Sequence, residues 1–259
     1  MGIFRREPPR IGLALGGGAA RGIAHIGVLK VIEEAGLPIS AVAGTSVGSI
    51  VGALMAAGLS WREIYEVSRN IGWSKLLQLS FSGLGIVKTS RLETLVEEIV
   101  GDRNIEDLSI PFAAIAVDIG TFEEVVFTSG PVARAVRASS SIPGIFEPVM
   151  DGDRALVDGG VTNNLPTDHT RALGATTVIA VELNAHLESQ GLPANLFDVS
   201  YRSFAALMLN TSREGRADAD VLIEPAIGHI MYHDLGKAQE LFDAGEEAAR
   251  RVLARHRLI

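Results

Sequence analysis

Two short apolar runs, each ending in glycine and each leading into helical spacing, constrain this chain more than any other feature. IGLALGGG (11–18) passes into ARGIAHIGVLKVIEEAG (20–36), where Ile23, Ile26, Val28, Leu29, Val31 and Ile32 form one broad apolar face before Gly36 supplies a stop. ISAVAG (39–44) repeats the pattern and turns into VGSIVGALMAAG (47–58). Strand–loop–helix–strand–turn–helix within sixty residues is the rhythm of a parallel α/β sheet, since parallel strands need a crossover to return the chain.

The remainder keeps to that class. A helix is expected from Trp61 to Gly72, then the irregular apolar stretch WSKLLQLSFSGLGIVKTS (73–90), then a helix over 91–101. IPFAAIAVDIG (110–120) and EEVVFTSG (123–130) read as paired strands, and PVARAVRASSS (131–141) as a helix opened by Pro131. Strands follow at 154–160, 175–184 and 221–225, with helical spacing over 204–221 and 237–256. There is no internal repeat or linker composition, so one domain over 1–259 is the expectation.

Charge and composition narrow the function. A net charge of −8 leaves no basic surplus for nucleic acid and little attraction to anionic membranes. No cysteine is present, which removes disulfides, thiolate metal sites and a cysteine nucleophile, and fits a reducing, cytoplasmic setting. The start, MGIFRREPPRIG, lacks the apolar core of a secretory signal, and Arg6 stands where myristoylation wants Ser or Thr. The uncharged run 35–61 is long enough to span a bilayer, but Pro38, five glycines and interspersed Ser and Thr fit a buried strand, a tight turn and a buried helix better.

Within that run, Gly44-Thr45-Ser46-Val47-Gly48 matches G-x-S-x-G where a strand meets a helix. A sharp turn there projects the serine hydroxyl at the positive end of the helix, and the Val47 N–H is placed to stabilise an oxyanion beside it. The other reading is a glycine-rich turn with Ser46 as a helix N-cap. Upstream, GGGAARG (16–22) has neither the Lys-Ser/Thr of a Walker loop nor the last glycine of a dinucleotide fingerprint, because Arg21 occupies that position. Its backbone N–H groups suit an oxyanion hole at Gly17 and Gly18, one strand away from Ser46. Arg21 either shapes this loop, meets an anionic head group, or lies on the surface.

An activated serine needs a base. Of the six histidines, His229 and His233 are the ones well placed on a late loop for the order Ser–Asp–His, while His25 on the first helix reads as a packing residue. ALVDGGVTNNLP (155–166) places Asp158 at the end of an apolar run and before Gly159 and Gly160, where it could serve as base or close an Asx-turn. Asp151 and Asp153 read as a hairpin turn.

Taken together, G-G-G-A-x-R-G from Gly16 to Gly22, G-T-S-x-G from Gly44 to Gly48 and D-G-G from Asp158 to Gly160 resemble the patatin-like phospholipases, a family that includes the catalytic domain of neuropathy target esterase. RASSSIPGIFEPV (137–149) and AVDIGTFEEVVF (116–127) are similar to further family blocks, so the resemblance spans roughly 10–185. It implies an α/β three-layer sandwich with a central, mostly parallel sheet. It also implies a Ser46–Asp158 dyad without histidine, an oxyanion held by Gly17 and Gly18, and no cofactor or metal. The expected substrate is a lipid or other acyl ester. An aspartate near pKa 4 is a weak base for a hydroxyl; partial burial would raise it, and the oxyanion hole would lower the barrier.

Residues 73–86 could form a lid or a lipid-contacting surface, or an ordinary buried subdomain; 186–199 and 228–236 are further candidate covers. A Ser–His–Asp esterase and a non-hydrolytic lipid binder remain as alternatives. Transient contact with a membrane surface stays open, as do the oligomeric state and the acyl preference.

Overall fold

The structure, a computed structural model, describes residues 9–70, 78–79, 87–189 and 191–259. Strands β1 (Ile11–Leu15) and β2 (Ile39–Thr45) flank α1 (Ile23–Glu34), and α2 (Val47–Ala56) and α3 (Trp61–Asn70) follow. A two-residue antiparallel pair, β3 (Gln78–Leu79) with β4 (Val87–Lys88), precedes α4 (Ser90–Val100). Then come β5 (Phe112–Asp118), β6 (Glu123–Phe127), α5 (Val132–Ser139), β7 (Val149–Asp151) and β8 (Arg154–Asp158). The chain closes with α6 (Thr167–Ala172), β9 (Thr177–Val181), α7 (Leu196–Thr211), α8 (Arg213–Asp218), β10 (Val221–Ile223) and α9 (Ala238–Arg255).

Eight strands form one sheet, parallel from β10 through β9, β1 and β2 to β5. The pleat sends alternate side chains of β1 to opposite faces. Ile11, Leu13 and Leu15 join the core beneath α1 and α9, whereas Ala14 packs with Leu165, Ala175 and Val178 on the other side. There α6 lies so close that a Cβ on Gly12 would come within 2.4 Å of Thr170. Helices therefore cover both faces, and the sandwich has three layers. Burial of β1 throughout and of β2 from Ala41 onward explains why 11–15 and 39–44 read as apolar runs. No helix among the described residues is long and apolar enough to cross a membrane; the run 35–61 is strand, turn and helix.

The antiparallel part sets the site. Ala114 and Ile115 of β5 pair with both β2 and β6, and Ala116–Asp118 pair with both β6 and β8. A strand has two edges, so β2 and β8 share the edge opposite β6. They run in opposite senses and end head to head: Thr45 pairs with Ile115, and Asp158 with Ala116.

Several boundaries differ from the sequence reading. The helix expected from residue 20 begins as a 3-10 turn, Ala19–Gly22. The helix expected over 204–221 starts earlier, at Leu196, because the Asn195 side chain accepts the Asp198 N–H at 2.9 Å, and it breaks at Ser212 into two. The candidate cover 186–199 thus includes the first turn of α7. Segment 228–236 is bonded to the glycine loop, with the Tyr232 carbonyl accepting the Ala20 N–H at 3.0 Å. Apart from β3 (Gln78–Leu79), the candidate lid 73–86 lies outside the described residues.

Candidate active site

The strand β2 hands the chain to α2 through Ser46, whose backbone is at φ 56° and ψ −128°. This is a sparsely populated conformation for a non-glycine residue, costing about 1–3 kcal/mol. The neighbouring glycines let the turn close: a Cβ on Gly44 would sit 2.4 Å from the Gly48 carbonyl oxygen, and one on Gly48 would sit 2.0 Å from that of Leu15. The Ser46 N–H donates to Ser139 Oγ at 3.0 Å, and the Ser46 carbonyl accepts the Ser49 hydroxyl at 2.7 Å. The Ser46 side chain caps nothing. It sits at the start of α2, where the Val47 N–H has no acceptor among the described residues.

Asp158 is fully buried at the end of β8. Its Oδ1 accepts the Gly160 N–H at 2.9 Å, while Oδ2 has no hydrogen bond of normal geometry. Burial pushes this carboxyl up to about 7, against smaller downward pulls from the nearby Ser46 hydroxyl and the Gly160 N–H. The pair is thus adjacent but not tightly bonded, as resting catalytic hydrogen bonds often are. Close packing forces the glycines after Asp158: a Cβ on Gly159 would lie 2.3 Å from the Ile115 carbonyl oxygen, and one on Gly160 would lie 2.9 Å from Phe204.

The glycine loop lies against the same serine, with a Cβ on Gly17 only 3.0 Å from Ser46 Cβ. The Gly16 N–H continues the sheet to Val181. The two candidate oxyanion donors are not equivalent. The Gly17 N–H donates to Asn164 Oδ1 at 3.1 Å, whereas the Gly18 N–H has no acceptor among the described residues. Of the readings weighed for Arg21, loop-shaping agrees with its position: it is 1% exposed, with Nε on the Ile230 carbonyl at 3.0 Å and Nη1 on Asn184 Oδ1 at 3.2 Å. Burial lowers its pKa, and that depth keeps it from any head group at the surface. Gly22 admits the elbow, since a Cβ there would be 2.1 Å from Val47.

The histidines fall elsewhere. His229 is half exposed and bonded to Glu240 at 2.8 Å. His233 is exposed, edge-on to the Tyr232 ring. His25 is buried with Nε2 2.8 Å from the Gly16 carbonyl oxygen, and burial drops its pKa to about 4. Sequence reasoning missed Asn164 and Asn184; each follows a strand and its turn in VTNNLP and VELN, a position that sequence alone does not separate from ordinary loop asparagine. It also missed a cluster of Glu124, Asp168 and His169, whose ligand atoms lie within 4.8 Å of one another. His169 and Glu124 satisfy each other in a 2.5 Å hydrogen bond, which raises the histidine's pKa.

Beside Ser46 opens a cavity of about 150 Å³, walled by Ile23, Ile26, Ile50, Leu54, Leu92 and Val96, with the polar Ser46 and Ser140 also in its lining. The structure brings together a serine at a strained elbow, a buried carboxyl near it and an apolar slot.

The family model for patatin-like phospholipases matches residues 13–171. The chain belongs to that family. It is 40% identical over 179 residues to an uncharacterized NTE family protein of Mycobacterium bovis, covering 68% of this chain and 49% of that protein. It is 38% identical over 189 residues to the human patatin-like phospholipase domain-containing protein 6, covering 69% of this chain and 14% of the human one. The chain thus spans about half the length of the mycobacterial relative and a small part of the human one. Among solved structures, VipD from Legionella pneumophila shares the fold at TM-score 0.69 and 14% identity, over 96% of this chain and 67% of VipD. The type III effector ExoU does so at TM-score 0.54 and 16% identity, over 96% and 53%.

Proposed function

We propose that this chain is a lipid-ester hydrolase that works through an acyl-serine at Ser46, with Asp158 as its base. The observation that carries the reading is the pairing of a strained, uncapped Ser46 with a fully buried carboxyl whose pKa is raised to about 7. A carboxyl near neutrality narrows the pKa gap to a serine hydroxyl and can return the proton to a leaving group.

The Ser46 oxygen attacks the ester carbonyl and forms the new C–O bond while its proton passes to Asp158 Oδ2. The carbonyl electron pair moves to an oxyanion, which the Val47 N–H, the start of α2 and the glycine loop stabilise. Collapse breaks the bond to the leaving alkoxide, which takes the proton from Asp158. Water then attacks the acyl-serine, gives its proton to Asp158, and the acid departs as Ser46 recovers the proton. The apolar cavity beside Ser46 supports an acyl chain as the group held during both steps. The names of the relatives, a lysophospholipase among them, support a phospholipid or lysophospholipid as substrate.

The contacts of His229 and His233 favour the dyad over a Ser–His–Asp triad. The experiment is fluorophosphonate labelling and p-nitrophenyl ester hydrolysis with wild type, Ser46→Ala, Asp158→Asn and His233→Ala. The dyad requires labelling lost in Ser46→Ala, turnover lost in both dyad variants and turnover kept in His233→Ala. Loss of turnover with His233 would establish the triad. A wild type that neither labels nor turns over, with lipid vesicles present as well, would leave a binding protein.

A further inference from the structure

The structure assigns Asn184 as the positioning residue that aims the Gly18 N–H into the oxyanion site, while Asn164 withdraws the Gly17 N–H from it. This rests on the hydrolase reading above and divides labour within a loop whose glycines look interchangeable in sequence.

A trans peptide points its C=O and its N–H in opposite directions, and the described residues contain no cis bond. In the Gly16–Gly17 peptide, His25 Nε2 lies 2.8 Å from the carbonyl oxygen, and Asn164 Oδ1 accepts the N–H at 3.1 Å. Both ends of that plane are occupied, so neither turns toward Ser46. His25 is buried and neutral, and its proton sits on Nε2 to meet the carbonyl, leaving Nδ1 without a partner. In the Gly17–Gly18 peptide only the carbonyl is held, by Asn184 Nδ2 at 2.8 Å. The opposite end, the Gly18 N–H, is left without an acceptor among the described residues, in a loop packed against Ser46.

Both asparagines are fully buried and themselves fixed. Asn164 Nδ2 donates to Ser212 Oγ at 2.9 Å, and Ser212 to the Met208 carbonyl at 2.8 Å. Asn184 accepts Arg21 Nη1 at 3.2 Å and gives its backbone N–H to Glu182 Oε1 at 2.7 Å. Glycine peptides rotate readily; these contacts set the orientation before substrate arrives, which is when an oxyanion donor has most effect.

Two arms test this. In protein labelled with 15N-glycine, hydrogen exchange should show Gly17 protected and Gly18 unprotected, with Gly17 protection lost in Asn164→Ala. In kinetics at pH 8, Asn184→Asp keeps the side-chain shape and its contact with Arg21 but removes the donor to Gly17. It should lower kcat at least tenfold with KM unchanged. It should also weaken a trifluoromethyl ketone, whose Ser46 adduct carries an oxyanion, by the same factor. A merely structural asparagine would change thermal stability and the fraction of Ser46 that labels, not kcat and inhibitor affinity in parallel. Unchanged kcat in Asn184→Asp, a loss in KM alone, or a protected Gly18 beside an unprotected Gly17 would overturn the assignment. The exchange arm needs no turnover. A wild type without Ser46-dependent hydrolysis would sink the hydrolase reading, and the amide pattern would still decide the geometry.

Discussion

Ser46 and Asp158 meet because two strands of opposite direction end against one edge of β5, Thr45 opposite Ile115 and Asp158 opposite the next residue, Ala116. The residues are far apart in sequence, yet the sheet register alone brings the elbow and the carboxyl together. The Thr45 hydroxyl, bonded to the Asn163 carbonyl at 2.8 Å, ties the two strand ends across the gap.

The first prediction concerns pH. The base must be ionised to take the Ser46 proton, and Asp158 stands at about 7 because burial disfavours its charge. The kcat/KM for a p-nitrophenyl ester should rise about tenfold per pH unit below neutrality and level off above an apparent pKa near 7. A profile already flat from pH 5 upward would remove Asp158 as the base.

The same shift acts on stability with a defined sign. The folded carboxyl holds its proton to about 7, whereas an unfolded aspartate loses it near its ordinary 3.8. Between those values the folded state binds more protons, so this group's contribution falls as pH rises and is lost above the folded pKa. Asp158→Asn should therefore melt at about the wild-type temperature at pH 4 and several degrees higher at pH 8. Equal shifts at both pH values, measured by calorimetry, would contradict the raised pKa.

The elbow should not tolerate a methyl group. A Cβ on Gly48 would stand 2.0 Å from the Leu15 carbonyl oxygen, and backbone at the centre of the sheet cannot retreat cheaply. Gly48→Ala should cost about 3 kcal/mol or more, lowering the melting temperature by roughly 6–12 °C. Thermal denaturation within a degree of wild type would show that the turn has room.

The cavity predicts chain-length selectivity. Ile50 lines it together with Ile23, Ile26 and Leu54. Ile50→Trp should fill the slot and displace about two methylenes, each worth about 0.8 kcal/mol. The outcome to look for is a loss near tenfold in kcat/KM on a p-nitrophenyl octanoate and less than twofold on the acetate. Equal losses on both would place the acyl chain elsewhere.

The two late histidines should be dispensable. His229 pairs with Glu240, and His233 sits exposed against Tyr232. His229→Ala and His233→Ala should each retain at least half of wild-type kcat. A hundredfold fall in either variant would restore the Ser–His–Asp reading.

The sequence by itself determined the elements and their class. The apolar runs 11–15 and 39–44, each followed by glycine or ended by it, became inner strands of the sheet, and the helical faces beside them became covering helices, because burial on two faces of a strand or one face of a helix is a local pattern. It also located the serine turn and the aspartate strand end, since both need glycine at positions where backbone passes within contact distance. Only the tertiary structure decided which groups are free to act. Gly17 and Gly18 are the same residue in sequence; one N–H is taken by Asn164, 147 positions away, and the other is not. Asp158 is an ordinary aspartate until β5, the loop from Ser141 and α7 remove its water, and Arg21 is an ordinary arginine until Ile230 and Asn184 enclose it. Protonation, donor direction and access depend on side chains distant along the chain, and residue patterning carries no record of those encounters.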